Sequence, residues 1–367
     1  MHTFELAFES GTRRCRVRAG DGVLDRLLGE LKDSAPARRL FVVSDSNVFP
    51  LHGDPLARRL ADSGFDVTCL TFPAGEGSKT RETKAELEDR LFELEAGRDC
   101  ALVAVGGGVT GDLAGFVAAT WHRGVPVIQV PTTLLSMVDA SLGGKTGVNL
   151  SYGKNLLGAF HQPWGVYADV ATLRTLPEFA YREGFAEAIK TAFIADAGLF
   201  DFLDGKRDGL LHREPEPLTE LAGRCMRIKG EVAMADEREG GKRAMLNFGH
   251  TVAHAIEAAS DYGVSHGDAV AAGMAVEARI AVARHGMPEQ DAQRLDGLLA
   301  GYGLPVAVPG GLEATALLAG ARRDKKNREG QLRVAVPVAL GRMPEGADPT
   351  VAVSEGELLE ALQKGRN

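Results

Sequence analysis

The sequence has few cysteines, and they are widely spaced. The four are Cys15, Cys69, Cys100 and Cys225, and none of them forms a CxxC pair. This pattern argues against a disulfide framework and against a zinc site built from thiolates. It favours a protein kept reduced in the cytoplasm, which is where we expect this one.

Long hydrophobic runs and a strongly basic character are also missing. The most apolar stretch, residues 269–283, is interrupted by Glu277 and Arg279 and falls short of the roughly 18 apolar residues that a membrane span needs. The first residues show no basic region followed by an apolar one, so no secretory signal is expected. The formal net charge of −8 disfavours nucleic acid as the main partner. A small anionic substrate is still compatible with it, because a local basic cluster can dominate the field in a cleft.

The 367 residues suffice for two domains. In the first half, short apolar runs at 40–44, 66–72, 101–105 and 125–130 alternate with helical stretches, which predicts a parallel sheet with helices on both faces. From residue 177 to 304 the spacing of apolar residues is helical. We therefore predict a Rossmann-like α/β domain (1–172) followed by a mostly α-helical domain (173–367), with the active site in the cleft between them.

A glycine-rich turn follows the most continuous apolar run. Gly106-Gly107-Gly108-x-x-Gly111 comes after a predicted strand and opens a predicted helix, the context in which such glycines let backbone approach a pyrophosphate. The glycine count alone also fits a tight turn that binds no ligand. Asp112 and Thr132-Thr133 are placed to contact a nucleotide, although each could equally be a cap or turn residue.

Histidines recur near residue 250. His250 and His254 are four residues apart, so both project from one face of a helix, a spacing typical of zinc ligands. His266 follows after the predicted end of that helix, and Glu187 could add a carboxylate. Spacing alone does not say which histidines bind metal, and solvated histidines fit it equally well.

Basic residues occur beside glycines and in predicted loops. They are Lys145, Lys154, Lys190, Lys229, Arg243, Lys325 and Lys326. Any one of them alone is more typical of a solvated surface position. Together they suit a substrate that carries both a phosphate and a carboxylate.

Several long segments closely resemble the 3-dehydroquinate synthases, within the wider sugar phosphate cyclase superfamily. The resemblance spans residues 45–326 and is strongest in GGGVTGDLAGFVAAT, QVPTTLLSMVDASLGGKTGVN, YGKNLLGAFHQP, DEREGGKRAMLNFGHTVAHAIE, SHGDAVAAGM and DKKN. It implies an enzyme that uses NAD and Zn²⁺ (or Co²⁺) to convert a phosphorylated sugar acid into a carbocycle with loss of phosphate.

The resemblance also implies a role for individual residues. Metal is expected at Glu187, His250 and His266, with His254 as a substrate contact. NAD is expected at Asp45, Asn47, Glu76, Lys79, Gly107, Gly108, Asp112, Thr132, Thr133, Asp139 and Lys154. The substrate is expected at Arg123, Lys145, Asn155, Lys190, Lys229, Arg243, Asn247, His254 and one or both of Lys325 and Lys326. In the family, the arginine at the position of Arg123 reaches across a dimer interface, which implies a homodimer.

Three alternatives compete with this interpretation. A related cyclase would act on sedoheptulose 7-phosphate or on an amino analogue; the neutral sugar would have no use for the pair Lys229 and Arg243. A metal-dependent polyol dehydrogenase could use the same turn and histidines but would release NADH stoichiometrically. A non-catalytic relative would be expected to lack a metal ligand, and all three are present.

Overall fold

The chain forms two compact units. The computed structural model describes residues 1–8, 14–322, 331–346 and 348–364. One unit consists of Met1–Pro177 and Arg213–Met234, the other of Glu178–His212 and Ala235–Asn367. The chain thus passes from one unit to the other more than once. The domain division after residue 172 stays a prediction.

The described residues contain eleven strands. They are β1 (His2–Leu6), β2 (Cys15–Gly20), β3 (Arg39–Asp45), β4 (Asp66–Phe72), β5 (Cys100–Gly106), β6 (Val127–Pro131), β7 (Lys145–Leu150), β8 (Gly153–Phe160), β9 (Gly165–Asp169), β10 (Leu332–Ala335) and β11 (Thr350–Val353). A seven-stranded sheet has the order β1-β2-β9-β6-β5-β3-β4. All its neighbours pair in parallel except β1 and β2. Two antiparallel hairpins, β7–β8 and β10–β11, complete the set.

Thirteen α-helices lie in the same described ranges. They are α1 (Val23–Ser34), α2 (Asp54–Asp62), α3 (Arg81–Glu93), α4 (Gly108–Thr120), α5 (Glu178–Ala195), α6 (Ala197–Gly205), α7 (Arg207–Leu211), α8 (Pro215–Ala235), α9 (His250–Ala259), α10 (His266–His285), α11 (Glu289–Gly301), α12 (Ala314–Arg322) and α13 (Glu355–Lys364). None of these helices is both long enough and apolar enough to cross a membrane.

The interior strand β5 explains the layered core of the first unit. Leu102 and Ala104 belong to one buried apolar cluster, while Val103 and Val105 belong to another. Alternate residues of a strand point to opposite faces of its sheet, so this sheet is covered on both faces. A strand in that position reads as a continuous apolar run, as the sequence of β5 does.

The second unit is mainly helical. Helices α5 and α10 are buried along most of their length, so neither shows the one-sided apolar stripe of a surface helix. The predicted fold class, an α/β part followed by a mostly helical part, is confirmed.

Some strands escaped the sequence analysis. The runs predicted at 40–44, 66–72, 101–105 and 125–130 correspond to β3, β4, β5 and β6. The hairpin β7–β8 is rich in glycine and polar residues, and these weaken the strand signal. Its pairing also contains a register shift between Val148 and Leu150, which disrupts the alternation that sequence patterns depend on.

Candidate functional site

The glycine-rich turn lies at the carboxyl end of β5. Gly107 is the N-cap of α4, and no side chain caps the helix at this end. The first N–H groups of a helix have no partner within the helix, and the helix dipole favours an anion there. The backbone at Gly107 and Gly108 therefore offers donors suited to a phosphate group.

The strand next to β5 ends at the same edge of the sheet. The N–H of Thr132, directly after β6, donates to Gly106 O at 2.9 Å, and Thr133 Oγ1 accepts from the N–H of Ser136 at 3.1 Å. Carboxyl ends of adjacent parallel strands are where doubly wound sheets bind ligands. The structure thus brings both predicted threonines beside the glycine turn.

Asp45 turns its carboxylate toward its own loop. Asp45 Oδ1 accepts from the N–H groups of Asn47 and Val48 at 2.9 and 3.0 Å, and Thr110 Oγ1 lies 3.4 Å from Asp45 Oδ2. This is an Asx-type turn that shapes the loop after β3. The predicted NAD contact by Asp45 stays a prediction, and the visible role of this carboxylate is to order the loop that carries Asn47.

Lys79 connects two predicted groups of residues. Its Nζ donates to Asp112 Oδ2 and to Asn155 Oδ1, both at 2.5 Å, and the side chain is 6% exposed. Burial raises the pKa of Asp112, an effect that the neighbouring Lys79 opposes. A predicted NAD residue and a predicted substrate residue therefore share one lysine.

Asn149 organises this region and was missed by the sequence analysis. Its side chain donates to Glu76 Oε1 at 2.7 Å and accepts from the N–H of Asn155 at 2.9 Å, while its own N–H donates to Lys79 O at 2.8 Å. Asn155 has a positive φ of 55°, a conformation that asparagine tolerates better than most residues. Its only signal in the sequence is its place as the last residue of the family-like segment QVPTTLLSMVDASLGGKTGVN.

Lys229 joins helix α8 to the short helical turn at residues 136–140. Its Nζ lies 2.7 Å from Asp139 Oδ1 and donates to Asp139 O at 2.5 Å. Lys229 is 7% exposed and Asp139 is 25% exposed. Residues predicted separately for substrate and for NAD thus form an ion pair within the first unit.

Arg123 lies on an unusual turn. His122 (φ 48°) and Arg123 (φ 69°) both adopt the left-handed backbone conformation, which is costly for residues other than glycine unless the surroundings enforce it. Trp121 Nε1 donates to Ala96 O at 3.2 Å, and His122 Nε2 lies 3.1 Å from the same oxygen. These contacts fix the turn that exposes Arg123.

His161 connects this turn to the strand that begins with Lys145. Its Nε2 lies 2.8 Å from Val125 O, and its N–H donates to Gly144 O at 2.8 Å. Burial lowers the pKa of His161, so the ring is neutral at pH 7 and its Nε2–H can donate. No sequence pattern indicates a role for His161, because only the tertiary structure brings these two segments together.

The second unit gathers several cationic or metal-binding groups around one buried carboxylate. Glu187 on α5 is 1% exposed and pairs with Lys190, one turn later on the same helix. Its Oε1 lies 3.4 Å from His250 Nε2 and 3.5 Å from His266 Nε2. Burial alone would raise the pKa of Glu187, but Lys190 and the two histidines hold it well below its ordinary value. The carboxylate is therefore ionised at neutral pH.

The three groups fit a divalent metal. Ligand atoms of Glu187, His250 and His266 all lie within 4.8 Å of one another. Tetrahedral Zn²⁺ with nitrogen and oxygen ligands at about 2.0–2.2 Å requires neighbouring ligand atoms about 3.3–3.6 Å apart. The Glu187–His250 and Glu187–His266 distances meet this requirement. Two histidines and one carboxylate are also the kind of set that leaves one coordination position open for a substrate.

The histidine spacing was ambiguous, and the structure resolves where each ring lies. The His250 and His254 rings pack edge to face, with centroids 5.7 Å apart. It is His266, at the first position of α10, that completes the cluster with Glu187 and His250. Hydrogen bonds to Glu187 and Glu257 overcome the effect of burial and raise the pKa of His266 to about 10.

Arg243 and Asn247 lie in the segment before α9. The Arg243 side chain is buried and donates to Glu237 O at 2.7 Å, while Asn247 Nδ2 donates to Glu239 Oε1 at 3.0 Å. Asp236, which the sequence analysis overlooked, accepts from the N–H groups of Gly240, Gly241 and Arg243 at 2.8–2.9 Å. Burial raises the pKa of Asp236, but these backbone donors lower it overall. Lys325 and Lys326, also predicted for the substrate, lie outside the described residues.

Comparisons with known proteins identify one family over most of the chain. A model of the 3-dehydroquinate synthase N-terminal region matches residues 69–183, and one of the C-terminal region matches residues 184–327. The 3-dehydroquinate synthase of Desulforamulus reducens is 42% identical over 360 residues, which are 98% of this chain and 99% of that protein.

Solved structures of related enzymes match nearly the full length of the chain. A 2-deoxy-scyllo-inosose synthase complexed with carbaglucose-6-phosphate, NAD⁺ and Co²⁺ has a TM-score of 0.90 and 29% identity, covering 99% of this chain and 100% of its own. The 2-epi-5-epi-valiolone synthase of Streptomyces hygroscopicus subsp. jinggangensis 5008, with NAD⁺ and Zn²⁺ bound, has a TM-score of 0.85 and 30% identity, covering 98% of each chain.

The similarity to these solved cyclases, together with the glycine turn of the sheet and the Glu-His-His cluster of the helical unit, places the chain in the class of sugar phosphate cyclases. Within that class, the chain belongs to the 3-dehydroquinate synthase family. It is accordingly an enzyme of lyase type that eliminates phosphate and forms a carbocycle. The family predicted from the sequence is confirmed.

Proposed function

We propose that the chain converts 3-deoxy-arabino-heptulosonate 7-phosphate into 3-dehydroquinate and phosphate, a reaction of the shikimate pathway, using NAD and Zn²⁺ or Co²⁺. The observation that carries this proposal is the cluster of His250 and His266 around the buried Glu187 in a chain 42% identical to a 3-dehydroquinate synthase over 98% of its length. The two solved cyclases at 29–30% identity are more distant, which favours the carboxylated substrate over the substrates of those enzymes.

Glu187, His250 and His266 would hold the metal, which as a Lewis acid lowers the pKa of a bound substrate hydroxyl. Lys190 has a separate task. It is 2% exposed and paired with Glu187, so its charge keeps the ligand carboxylate ionised. The lysine also presents the remaining N–H donors of its ammonium group to the substrate.

The residues of the first unit would hold NAD, which accepts a hydride and later returns it, so that the cofactor is regenerated within each turnover. The α4 N-terminus at Gly107 and Gly108 would receive the pyrophosphate. Around it we place the other predicted contacts: Asp45, Asn47, Glu76, Lys79, Asp112, Thr132, Thr133, Asp139 and Lys154. The Lys79–Asp112 and Lys229–Asp139 pairs would fix the polar groups before the cofactor arrives.

A substrate with two anionic ends needs cations at both. We assign this role to Arg123, Lys145, Lys229 and Arg243, with Asn155, Asn247 and His254 as hydrogen-bonding partners, and to one or both of Lys325 and Lys326. The guanidinium of Arg243 is fully buried and matches a carboxylate or phosphate with two parallel donors. Holding the chain in a productive conformation is the main contribution that an intramolecular ring closure requires from the protein.

A homodimer and a cytoplasmic location are also part of the proposal. Arg123 is exposed on a rigid left-handed turn, which suits a side chain that serves the site of a second copy. The four cysteines are free, and three of them are buried, as expected of a protein from a reducing compartment.

A phosphate-release assay tests the reaction. The purified protein is given Zn²⁺, a trace of NAD, and either 3-deoxy-arabino-heptulosonate 7-phosphate or sedoheptulose 7-phosphate. We expect phosphate from the first substrate in large excess over NAD, with no accumulation of NADH. Turnover of sedoheptulose 7-phosphate alone would refute the proposed substrate. Stoichiometric NADH without phosphate would indicate a polyol dehydrogenase.

The amino analogue of the first substrate needs a separate arm, because it keeps the carboxylate. Comparing kcat/KM for the two carboxylated sugars decides between them. A higher kcat/KM for the amino sugar would overturn the assignment to the shikimate pathway and leave the cyclase chemistry in place.

A further inference from the structure

The two histidine ligands stand at the starts of helices α9 and α10. Each of these helices places a buried carboxylate against the start of the other. Helix α9 begins with His250, and helix α10 begins with His266. The carboxylates belong to Glu257 on α9 and Glu277 on α10, which are 3% and 0% exposed. Neither glutamate is among the predicted metal, NAD or substrate residues.

The start of α9 lacks a cap of its own. Its N-cap is Gly249, which is in the left-handed conformation (φ 82°) and has no side chain to cap the helix. The first N–H groups of a buried helix need acceptors, since leaving them unpaired is costly. Glu277 supplies these acceptors. Its Oε2 accepts from the N–H of Gly249 at 2.7 Å, and its Oε1 accepts from the N–H of Val252 at 3.3 Å.

This cap depends on close packing of the two helices. A Cβ on Gly273 of α10 would lie 2.0 Å from Gly249 O, and a Cβ on Gly249 would lie 2.9 Å from Met274 N. Only glycines allow the backbones to approach so closely. Glu277 lies one turn after Gly273 on the same face of α10, so the close contact brings its carboxylate to the α9 N-terminus.

The reverse contact orients His266. Glu257 Oε1 lies 3.4 Å from His266 Nδ1, while His266 Nε2 faces Glu187 Oε1 at 3.5 Å. A carboxylate on one ring nitrogen holds the proton there and leaves the other nitrogen as the metal ligand. For His250, the Phe248 carbonyl takes the corresponding place, at 3.3 Å from Nδ1.

We infer that Glu257 and Glu277 are a reciprocal pair of positioning residues for the metal centre. Glu257 sets the ring orientation of His266, and Glu277 sets the position of the helix end from which His250 projects. This inference rests on the metal centre of the proposed function and extends it to two residues that touch neither metal nor substrate. Loss of outer partners of this kind typically costs 10- to 100-fold in metal affinity.

The test uses the full-length protein, stripped of metal with a chelator and titrated with Co²⁺, whose visible absorption reports affinity and coordination geometry. Glu257→Gln and Glu277→Gln should each weaken Co²⁺ binding by about 10- to 100-fold and alter the absorption bands. Glu30→Gln is the matched control, because Glu30 is a half-buried carboxylate of the first unit, paired with Arg18. It should lower the Tm of the metal-free protein and leave Co²⁺ binding unchanged.

Wild-type Co²⁺ affinity and bands in both glutamine variants would overturn the inference, even if their Tm values fall. If Glu277→Gln does not fold, Glu277→Asp takes its place. It keeps the charge and retracts the carboxylate by one methylene, so it should also weaken Co²⁺ binding, and wild-type binding would overturn the role of Glu277. The proposed function is judged separately, because a wild-type protein that binds Co²⁺ and releases no phosphate refutes that function only.

Discussion

The predicted site residues of the two units arrange their buried charges differently. Among those of the first unit, opposite charges are matched in pairs, as Lys79 is with Asp112 and Lys229 is with Asp139. In the second unit, one carboxylate, Glu187, faces Lys190, His250 and His266 together. Paired charges suit a pocket for a large polar cofactor, because a polar group of the cofactor can replace one partner of a pair. A cluster around one anion suits a divalent cation, which replaces the protons of the ligands.

The largest effect is expected at Glu187, on which the contrast between the two units depends. Glu187→Gln removes the anionic ligand and leaves Lys190 buried without its counter-charge. We expect Co²⁺ affinity to fall by more than the roughly 100-fold that loss of an outer partner costs, and phosphate release to fall with it. Glu178→Gln, an exposed position on the same helix, is the control. Wild-type Co²⁺ binding by Glu187→Gln would remove the metal centre from the proposal.

The paired charges of the first unit are tested by Lys229→Met. The variant leaves Asp139 partly buried and without its lysine, which should cost about 1–3 kcal/mol of unfolding free energy, since Asp139 is still a quarter exposed. Urea denaturation measures the loss, and phosphate release should fall as well. The control is Arg227→Met, an exposed cation on the same helix. In Lys229→Met/Asp139→Asn, stability should recover while activity stays low; recovery of both would argue against a substrate role for Lys229.

A smaller effect is expected at His161. His161→Ala removes the donor to Val125 O, which should destabilise the protein by about 1–3 kcal/mol. Because the contact joins the segments of Arg123 and Lys145, we expect KM to rise about tenfold, the equivalent of about 1.4 kcal/mol, with little change in kcat. His161→Gln keeps a side-chain donor, so its KM should lie between the values of the wild type and of His161→Ala. An unchanged KM in a destabilised His161→Ala would indicate a role in folding alone.

The smallest effect concerns Glu30, which accepts from Arg18 Nε at 2.7 Å and from Tyr167 OH at 2.8 Å. Burial raises its pKa, but these hydrogen bonds outweigh burial and lower the pKa below 4.5. A carboxylate with a depressed folded-state pKa adds stability above its unfolded pKa and loses it as the pH falls through the folded value. Stability should therefore fall below about pH 4.5, and less steeply in Glu30→Gln. Urea midpoints at pH 7 and pH 4 measure this; equal pH dependence in both proteins would exclude Glu30 as a contributor.

Much of the first unit could be predicted from local patterns. β5 is a continuous apolar run, and β4 is a run of residues that favour strands. The glycine turn follows β5 directly. The hairpin β7–β8 was missed because glycines and a register shift hide its alternation. Taken alone, Lys229 resembled a surface lysine in the sequence, and Lys79 was singled out only by the family resemblance. Both are buried, and their partners come from distant segments.

Local sequence patterns could not identify all the residues of the metal cluster. The i, i+4 spacing correctly places His250 and His254 on one helix, but it cannot show that His250 is the one that joins Glu187 and His266 in the cluster. His266 begins another helix, so no spacing rule relates it to His250. The resemblance to a family supplied that assignment in advance, and the distances support it.

The sequence by itself determined the two-part fold class, the glycine turn and the family, because strand and helix periodicities are local and the long motifs are specific. The tertiary structure alone decided which charges pair and which cluster, and it placed Glu257 and Glu277 against the ends of each other's helices. The contacts of these two glutamates depend on the close approach of the α9 and α10 backbones at Gly249 and Gly273. That approach results from packing between separate segments, so it leaves no periodic signal along the chain.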